Sequence, residues 1–268
     1  MSPHWTEQRD ALREWLLASL RILIGCDFDG TLAPLASHAD EVRLPASTKT
    51  ILQRLVSQPG VTLAVISGRS LADVQQRLDL AGVLYAGNHG LEMSGSDGTT
   101  VLAPGAAAAG PALREVLAEL SPVLAHLPGV WIEDKHLTLS VHYRQAAESC
   151  HAEVQHLVKS AVQAVAPLVV RPAKRIWEIR PAIDWDKGTA LRRFMEQCCV
   201  TAGTTAFMGD DASDLDAFRE LPGGWTFIVG DGLGSAARVR LHDPSDSAAL
   251  LDWMATVRTA ARFGNAFA

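Results

Sequence analysis

One short stretch constrains the fold of this chain most: an apolar run that leads directly into two aspartates. Residues Ile22 to Cys26 are continuously apolar, which is typical of a strand covered on both faces. Asp27 and Asp29 follow at once, and burying neighbouring carboxylates is costly unless a cation compensates them. Gly30 allows a sharp turn after them. The stretch therefore predicts a strand of an open α/β sheet that ends at a ligand site.

Two other interpretations of this stretch are weaker. A calcium-binding loop needs a third oxygen ligand before the glycine and a closing glutamate, and the spacing provides neither. A solvated acidic turn would leave the preceding apolar run unexplained.

Composition limits the class of protein. Of 268 residues, 48% are apolar, which is enough for a sizeable core. The net charge is −6 without a basic tract, so nucleic acid is not expected as a partner. No signal-peptide pattern and no apolar run of about 18 residues occurs, so no membrane association is expected. The four cysteines fit neither a zinc site nor a disulfide framework, and we expect reduced thiols in a cytoplasmic monomer.

Alternating strands and helices predict a parallel sheet with crossover helices. A helix over residues 6–20, with Leu20 among its inward residues, precedes the first strand. Further buried strands are predicted at 61–66, 82–86 and 204–208, and a last one at 225–229. The alternation of buried strands and helices stops at residues 104–111. This segment is rich in Ala, Gly and Pro, and we interpret it as a hinge-like linker.

Residues 104–180 are predicted to form a smaller α+β domain, in the order α-β-β-α-β-β, inserted into a core of residues 1–103 and 181–268. Residues 136–144 alternate between apolar and polar side chains, which indicates a half-exposed strand of an antiparallel sheet.

Polar groups of complementary kinds follow the buried strands of the core and should meet at one edge of its sheet. They are Asp27 and Asp29, Ser67, Lys187, and the acidic group Asp210, Asp211 and Asp214. These carboxylates would repel one another without a counter-ion, and Mg²⁺ is the cation that favours oxygen ligands. A divalent cation beside a lysine makes a site for a phosphate dianion. Taken singly, Lys187 could be a solvated surface lysine and Ser67 the N-cap of a helix beginning near Ser70.

The order DxDGT, Ser, Lys, GDDxxD resembles that of the haloacid dehalogenase-like (HAD) superfamily, which implies a Rossmann-like core and an aspartyl-phosphate intermediate. The resemblance implies that Asp27 is the nucleophile and that Asp29 is the acid and base. It implies that Ser67 and Lys187 hold the phosphoryl group. Arg69 is interpreted as a local structural partner.

The same resemblance implies a magnesium site made of Asp210, the Asp27 carboxylate and the Asp29 carbonyl. Asp211 or Asp214 would be an outer ligand, and the sequence does not decide between them. Ser213 stands where the family usually has a threonine.

Three further segments resemble the trehalose-6-phosphate phosphatase family: Gly87 to Glu92, Glu133 to Arg144, and Trp177 to Pro181. The resemblance implies Mg²⁺-dependent hydrolysis of trehalose 6-phosphate, the last step of trehalose biosynthesis. It implies that Glu133, Lys135, Arg144 and Glu178 bind sugar hydroxyls and that Asn88 and His89 line the core side of the site. His142 is a further candidate for substrate binding, and both His89 and His142 could instead be packed polar residues.

Alternatives remain open at this point. Glu133 with Lys135, and Arg144 with Glu178, could instead be cross-strand ion pairs on a solvated face. The substrate could be a related sugar phosphate, such as sucrose phosphate or mannosyl-phosphoglycerate. The chain could also be a binding protein that keeps the fold without catalysis.

Overall fold

The computed structural model describes residues 2–95, 97–232 and 236–264. The chain forms two compact units. The first contains Met1–Val101 and Trp185–Ala268, and the second contains Leu102–Asp184. Each unit has its own sheet and its own hydrophobic core.

The first unit begins with alternating helices and strands. Its first strand is buried along its whole length, as its continuous apolar run predicts. Short 3₁₀ helices at Trp5–Gln8, Ala39–Glu41 and Asn88–Gly90 accompany the main elements. These elements are α1 (Arg9–Ala18), β1 (Ile22–Cys26), α2 (Ala46–Val56), β2 (Val61–Ile66), α3 (Leu71–Leu78), β3 (Val83–Gly87), β4 (Glu92–Ser94) and β5 (Thr100–Leu102).

The prediction of a helix over residues 6–20 is wrong at the C-terminal end of that helix. α1 ends at Ala18, because Ser19 adopts an extended backbone conformation that leads the chain towards β1. Leu12 and Leu16, one helical turn apart, are buried. Leu20 lies beyond the helix and is 91% exposed.

The second unit follows the predicted order α-β-β-α-β-β. Its sheet has the strand order β6-β7-β9-β8, and all neighbouring strands are antiparallel. The elements are α4 (Gly110–Leu124), β6 (Trp131–Asp134), β7 (Leu139–His142), α5 (Glu148–Gln163), β8 (Leu168–Ala173) and β9 (Ile176–Pro181).

The prediction of a hinge-like linker at residues 104–111 is wrong. Ala107–Ala109 form a 3₁₀ helix, and α4 follows with Pro111 in its first turn. Ala106 and Ala109 are buried, and Ala109 packs in the core of the second unit. Alanine has the highest helix propensity and proline is favoured at a helix start, so this composition continues into a helix.

The strand predicted over residues 136–144 is shorter, and its polar face is less exposed than the alternation indicates. Leu139 and Val141 pack with α4 and α5 on one face, as predicted. On the other face Ser140 is 1% exposed, because it lies in register between Glu133 of β6 and Glu178 of β9. A small side chain between two longer ones is covered by them.

The chain then returns to the first unit. A three-residue strand at Val239–Leu241 was too short to be predicted from periodicity. The elements are α6 (Lys187–Cys198), β10 (Thr205–Gly209), α7 (Asp214–Arg219), β11 (Trp225–Val229), β12 (Val239–Leu241) and α8 (Pro244–Gly264), with a 3₁₀ helix at Ala202–Thr204.

The eight-stranded sheet of the first unit has the order β12-β11-β10-β1-β2-β3-β4-β5. Neighbouring strands are parallel from β12 to β3, and β4 is antiparallel to β3. From β1 the chain moves outward through β2 and β3. The later strands lie on the other side of β1, beginning with β10 and continuing outward through β11 and β12. The strand order thus reverses between β1 and β10, and ligands of open α/β sheets bind at such a point.

Among the described residues, every helix is too short or too polar to cross a lipid bilayer.

Candidate active site

The candidate active site lies at the carboxyl ends of the central strands of the first unit. Asp27 directly follows β1, Ser67 follows β2 and Asp210 follows β10. Because β1 lies between β2 and β10, these residues start from adjacent strand ends. The backbone N–H of Asp27 donates to the Met208 carbonyl at 2.9 Å, which continues the parallel pairing past the end of β1.

Lys187 joins this edge from the first turn of α6 and is 2% exposed. Its Nζ lies 2.9 Å from Oδ1 of Asp27 and 2.7 Å from Oδ1 of Asp214. Burial opposes the charge on Lys187, but the carboxylates of Asp214 and Asp27 outweigh burial and raise its pKa. Lys187 is therefore a charged group between two carboxylates, and the alternative of a solvated surface lysine is wrong.

Three carboxylates, those of Asp27, Asp210 and Asp214, form a cluster in which each offers an oxygen within 4.8 Å of the others. Burial raises the pKa of Asp27 well above 3.8. Lys187 opposes this shift, and the charges of Asp214, Asp210 and Asp29 add to it. One lysine does not balance this carboxylate cluster. An all-oxygen donor set with excess negative charge fits a hard divalent cation such as Mg²⁺.

Asp214 and Asp211, the two candidates for an outer ligand, lie in different surroundings. Asp214 is fully buried, and its Oδ2 accepts the backbone N–H groups of Asp210 and Asp211 at 3.0 and 2.9 Å. Gly209 leaves room for it, since a Cβ there would lie 2.1 Å from Cγ of Asp214. Asp211 accepts the Ser213 N–H at 3.2 Å and is not a member of the carboxylate cluster. The geometry favours Asp214.

Ser67 is fully buried in the turn after β2. Its Oγ accepts the backbone N–H of Arg69 at 3.2 Å, and its carbonyl accepts the N–H of His89 at 2.8 Å. The N-cap of α3 is Ser70, whose Oγ accepts the N–H of Asp73 at 3.3 Å. Ser67 is thus not the cap of this helix, and that alternative is wrong.

Arg69 is the residue of this edge that the sequence motifs indicate least. Its Nε and Nη2 donate to Oδ2 and Oδ1 of Asp29, both at 2.7 Å, so the pair is bidentate. The i,i+4 spacing to Asp73 predicts the ion pair that also forms, at 2.7 Å. No spacing rule points to Asp29, which lies 40 positions away in the sequence.

Asn88 and His89 follow β3, and both have positive φ angles, of 49° and 57°. Asn88 is fully buried, and its Nδ2 donates to Oε1 of Glu92 at 2.8 Å. The ring of His89 lies against Gly68, where an added Cβ would approach the ring to 2.8 Å. Of the two predicted binding residues, Asn88 is therefore tied into the core, and His89 is the more exposed side chain.

Within the second unit, the polar face of the sheet carries four of the predicted binding residues together: Glu133, Lys135, His142 and Glu178. Nε2 of His142 lies 2.9 Å from Oε2 of Glu133. Nζ of Lys135 lies 4.0 Å from Oε2 of Glu133 and 3.9 Å from Oε1 of Glu178. The predicted pair of Glu133 with Lys135 is present at this longer distance, on a face where Glu178 is 8% exposed. It is not the fully solvated face that the ion-pair alternative assumes.

The alternation predicts that Arg144 shares this strand face with His142, and this prediction is wrong. β7 ends at His142, and Arg144 lies in the following turn, exposed to solvent. Its Nη2 donates to the Lys174 carbonyl at 3.3 Å. The period-two rule fails here because the strand ends before the pattern does.

The family of the chain follows from its sequence relatives. A family model described as trehalose-phosphatase matches residues 26–224. This chain belongs to the trehalose-phosphatase family. The trehalose-phosphate phosphatases of Mycobacterium marinum and Mycobacterium tuberculosis are each 38% identical to it, over 234 and 238 residues. These matches cover 84% and 85% of this chain but 59% and 60% of the relatives, so the chain spans about three fifths of their length.

Solved structures share the fold. The C-terminal domain of the C. albicans trehalose-6-phosphate phosphatase matches with a TM-score of 0.81 and 23% identity, over 96% of this chain and 98% of that chain. A trehalose-6-phosphate phosphatase related protein matches with a TM-score of 0.79 and 20% identity, over 89% and 99%. A haloacid dehalogenase-like hydrolase from Bacteroides thetaiotaomicron has a TM-score of 0.64 and 15% identity, over 87% and 99%. The predicted HAD-like α/β fold with a second, smaller sheet is confirmed.

One further residue on the polar face of the second sheet was missed. Trp131 pairs with His142 across β6 and β7, and the two rings stack at 3.7 Å with an interplanar angle of 4°. Its position two residues before Glu133 on the same strand is the signal that could have found it.

Proposed function

We propose that this chain is a Mg²⁺-dependent phosphatase that hydrolyses trehalose 6-phosphate to trehalose and phosphate through an aspartyl-phosphate on Asp27. The observation that carries the proposal is the buried Lys187 between Asp27 and Asp214, beside the carboxylate cluster. A structural ion pair needs one partner, whereas this arrangement keeps an excess of carboxylates at a strand end. Family membership provides the substrate class.

In the proposed first step, an Oδ atom of Asp27 attacks phosphorus while the bond from phosphorus to the sugar oxygen breaks. Asp29 gives a proton to that oxygen, so trehalose leaves as a neutral alcohol. In the second step Asp29 takes a proton from the water that attacks phosphorus, and Asp27 is released as a carboxylate. Lys187 and Ser67 hold the transferring phosphoryl group.

The residues that would hold Mg²⁺ are Asp210, the Asp27 carboxylate and the Asp29 carbonyl, with Asp214 rather than Asp211 as the outer ligand. The ion supplies positive charge that offsets the carboxylates and the phosphate dianion. Lys187, with its Nζ 2.9 Å from Oδ1 of Asp27, opposes the rise in the Asp27 pKa that burial causes and would hold that carboxylate in place.

We further propose that residues 104–180 act as a separate substrate-recognition domain. Glu133, Lys135, His142 and Glu178 would bind sugar hydroxyls, since together they offer donors and acceptors on a largely buried face. Arg144 would contribute from its turn. Within the first unit, His89 and Asn88 are proposed separately as substrate-binding residues. Monomeric state and cytoplasmic location stay predictions from the sequence.

A panel of phosphate esters tests the proposal. Phosphate release from trehalose 6-phosphate, sucrose phosphate, mannosyl-phosphoglycerate and glucose 6-phosphate is compared with Mg²⁺ and with EDTA. We expect kcat/KM for trehalose 6-phosphate to exceed that for glucose 6-phosphate by at least about 100-fold, because a site built for a disaccharide leaves polar groups unpaired on a smaller sugar. EDTA should abolish turnover.

Other outcomes of this comparison would favour a different substrate or a role without catalysis. Equal turnover of glucose 6-phosphate would contradict the specificity, and preference for sucrose phosphate or mannosyl-phosphoglycerate would favour those related activities. A folded protein that releases no phosphate from any of the esters would favour a non-catalytic binding role.

A further inference from the structure

Arg69 makes two side-chain contacts with the residue proposed as acid and base. Both oxygens of the Asp29 carboxylate accept from its guanidinium at 2.7 Å, a fork geometry that fixes the plane of the carboxylate as well as its distance. Asp29 lies in the turn after β1, where its backbone forms only an isolated bridge with Ala33. The carboxylate is thus held through Arg69 rather than through a regular strand.

Arg69 is itself immobilised by other groups. Its Nη1 donates to Oδ2 of Asp73 and its Nη2 to the Ala39 carbonyl, each at 2.7 Å, and its guanidinium lies 5.7 Å from the centre of the Phe28 ring. The side chain is 6% exposed. Asp73 is held in turn by Arg77, whose Nε lies 2.8 Å from Oδ1. The Arg69 fork is therefore a rigid support for Asp29.

We propose that Arg69 is the positioning residue that aims the Asp29 carboxyl group at the leaving sugar oxygen, an inference that rests on the proposed function. Each carboxyl oxygen has two acceptor sites, and the bidentate pair uses one on each. A second site on each oxygen stays available for the proton that Asp29 gives to the alcohol and later takes from water. Positioning of a proton donor is worth large factors in rate, because small misplacements weaken proton transfer steeply.

The alternative is that the pair only stabilises the fold. Arg77 provides a matched control, because it shares Asp73 with Arg69 and is also largely buried, with 13% exposure, while its other contacts are with Asp40 and Val42. If the network acts on stability alone, Arg69→Lys and Arg77→Lys should have the same kind of effect. Lysine keeps the charge but cannot form a fork.

The first test is a leaving-group series. Values of kcat/KM are measured for phenyl phosphates with different ring substituents, since kcat/KM reports the step in which the alcohol or phenol departs. Poor leaving groups need the proton from Asp29 and good ones do not. Arg69→Lys should lose at least about 10-fold more activity on phenyl phosphate than on p-nitrophenyl phosphate, and Arg77→Lys should lose equally on both. Equal losses for Arg69→Lys would overturn the inference.

The second test uses trehalose 6-phosphate and a double-mutant cycle. Arg69→Lys should reduce kcat/KM by about 10-fold or more in the wild-type background but by less than about 2-fold in the Asp29→Asn background, since Arg69 then has no proton donor to position. The same factor in both backgrounds would contradict the inference. A faster Arg69→Lys enzyme would contradict it too, because the pair would then hold Asp29 away from its target.

These outcomes are distinct from a failure of the proposed function. If the wild-type protein hydrolyses no phosphate ester with Mg²⁺, the proposed function is wrong and this inference falls with it. If the wild-type protein is active and the Arg69→Lys effects are uniform, the function stands and only the positioning role is lost.

Discussion

Asp27 is the residue on which the proposed chemistry depends. Asp27→Asn should reduce turnover of trehalose 6-phosphate by at least about 10³-fold, because an amide lacks the charge that attacks phosphorus. The fold should be kept, since the two side chains have nearly the same volume. Activity is measured beside circular dichroism, with Asp10→Asn on the exposed face of α1 as the matched control. Retained turnover in the Asp27 variant would exclude it as nucleophile.

The same variant tests the electrostatics of the carboxylate cluster through pH. Folded Asp27, with a raised pKa, binds a proton at pH values where an unfolded aspartate has lost it, so its contribution to stability falls as pH rises above about 3.8. Without metal, the free energy of unfolding of the wild type relative to Asp27→Asn should therefore decrease with rising pH. Urea unfolding at several pH values measures this free-energy difference. A difference that does not change with pH would show that Lys187 fully offsets the effect of burial on the pKa of Asp27.

Single residues were predictable where a strand end marks them. Asp27, Ser67 and Asp210 each follow a buried apolar run, and the fixed order of motifs adds Lys187. Contacts between distant segments were not predictable in this way. The Arg69–Asp29 pair joins positions 40 residues apart and depends on how two neighbouring strand ends face each other.

At the level of elements, the turn after β1 couples backbone conformation to the site. Gly30 has φ +77°, and a Cβ there would lie 2.5 Å from Oδ2 of Asp210. Gly30→Ala should lose about 1–2 kcal/mol of stability from the backbone conformation. It should also lose Mg²⁺-dependent activity, because Asp210 must move.

Gly223→Ala is the matched control for this turn, since Gly223 has φ +79° and nothing within 4 Å of the added Cβ. It should show the backbone cost alone, with activity retained. Thermal unfolding and the Mg²⁺ dependence of turnover measure both effects. An active Gly30→Ala enzyme with unchanged Mg²⁺ dependence would show that Asp210 tolerates displacement.

The second sheet carries the prediction on specificity. Glu178→Gln should raise KM for trehalose 6-phosphate by about 10-fold, because a charged hydrogen-bond acceptor on a buried face is lost. It should leave kcat/KM for p-nitrophenyl phosphate within about 2-fold. Glu148→Gln, at the start of α5 with its side chain 88% exposed, is the control and should change neither value. Equal damage to both substrates would count against a sugar-binding role.

Elements with a strong period were predictable and short or irregular ones were not. Continuous apolar runs located β1, β2, β3, β10 and β11, but β12 has three residues and leaves no periodic signal. The Ala-rich segment at 104–111 was misinterpreted because its composition is shared by linkers and helices. The covered position of Ser140 depends on its register with two neighbouring strands, which alternation along one strand does not contain.

For the whole molecule, the two units present different arrangements of polar groups. The first presents charged groups at the ends of parallel strands, which suits phosphoryl transfer. The second presents polar side chains on the face of an antiparallel sheet, which suits recognition of hydroxyl groups. This division explains why the motifs of the first unit indicate a reaction type and those of the second indicate a substrate.

One measurement tests this account most directly. Wild-type protein is mixed with trehalose 6-phosphate and Mg²⁺, quenched in acid within the first turnover, and the peptide containing Asp27 is analysed by mass spectrometry. We predict a phosphoryl group on Asp27, with trehalose formed ahead of free phosphate, and neither when EDTA replaces Mg²⁺. Parallel release of trehalose and phosphate with Asp27 unmodified throughout the first turnover would contradict the account.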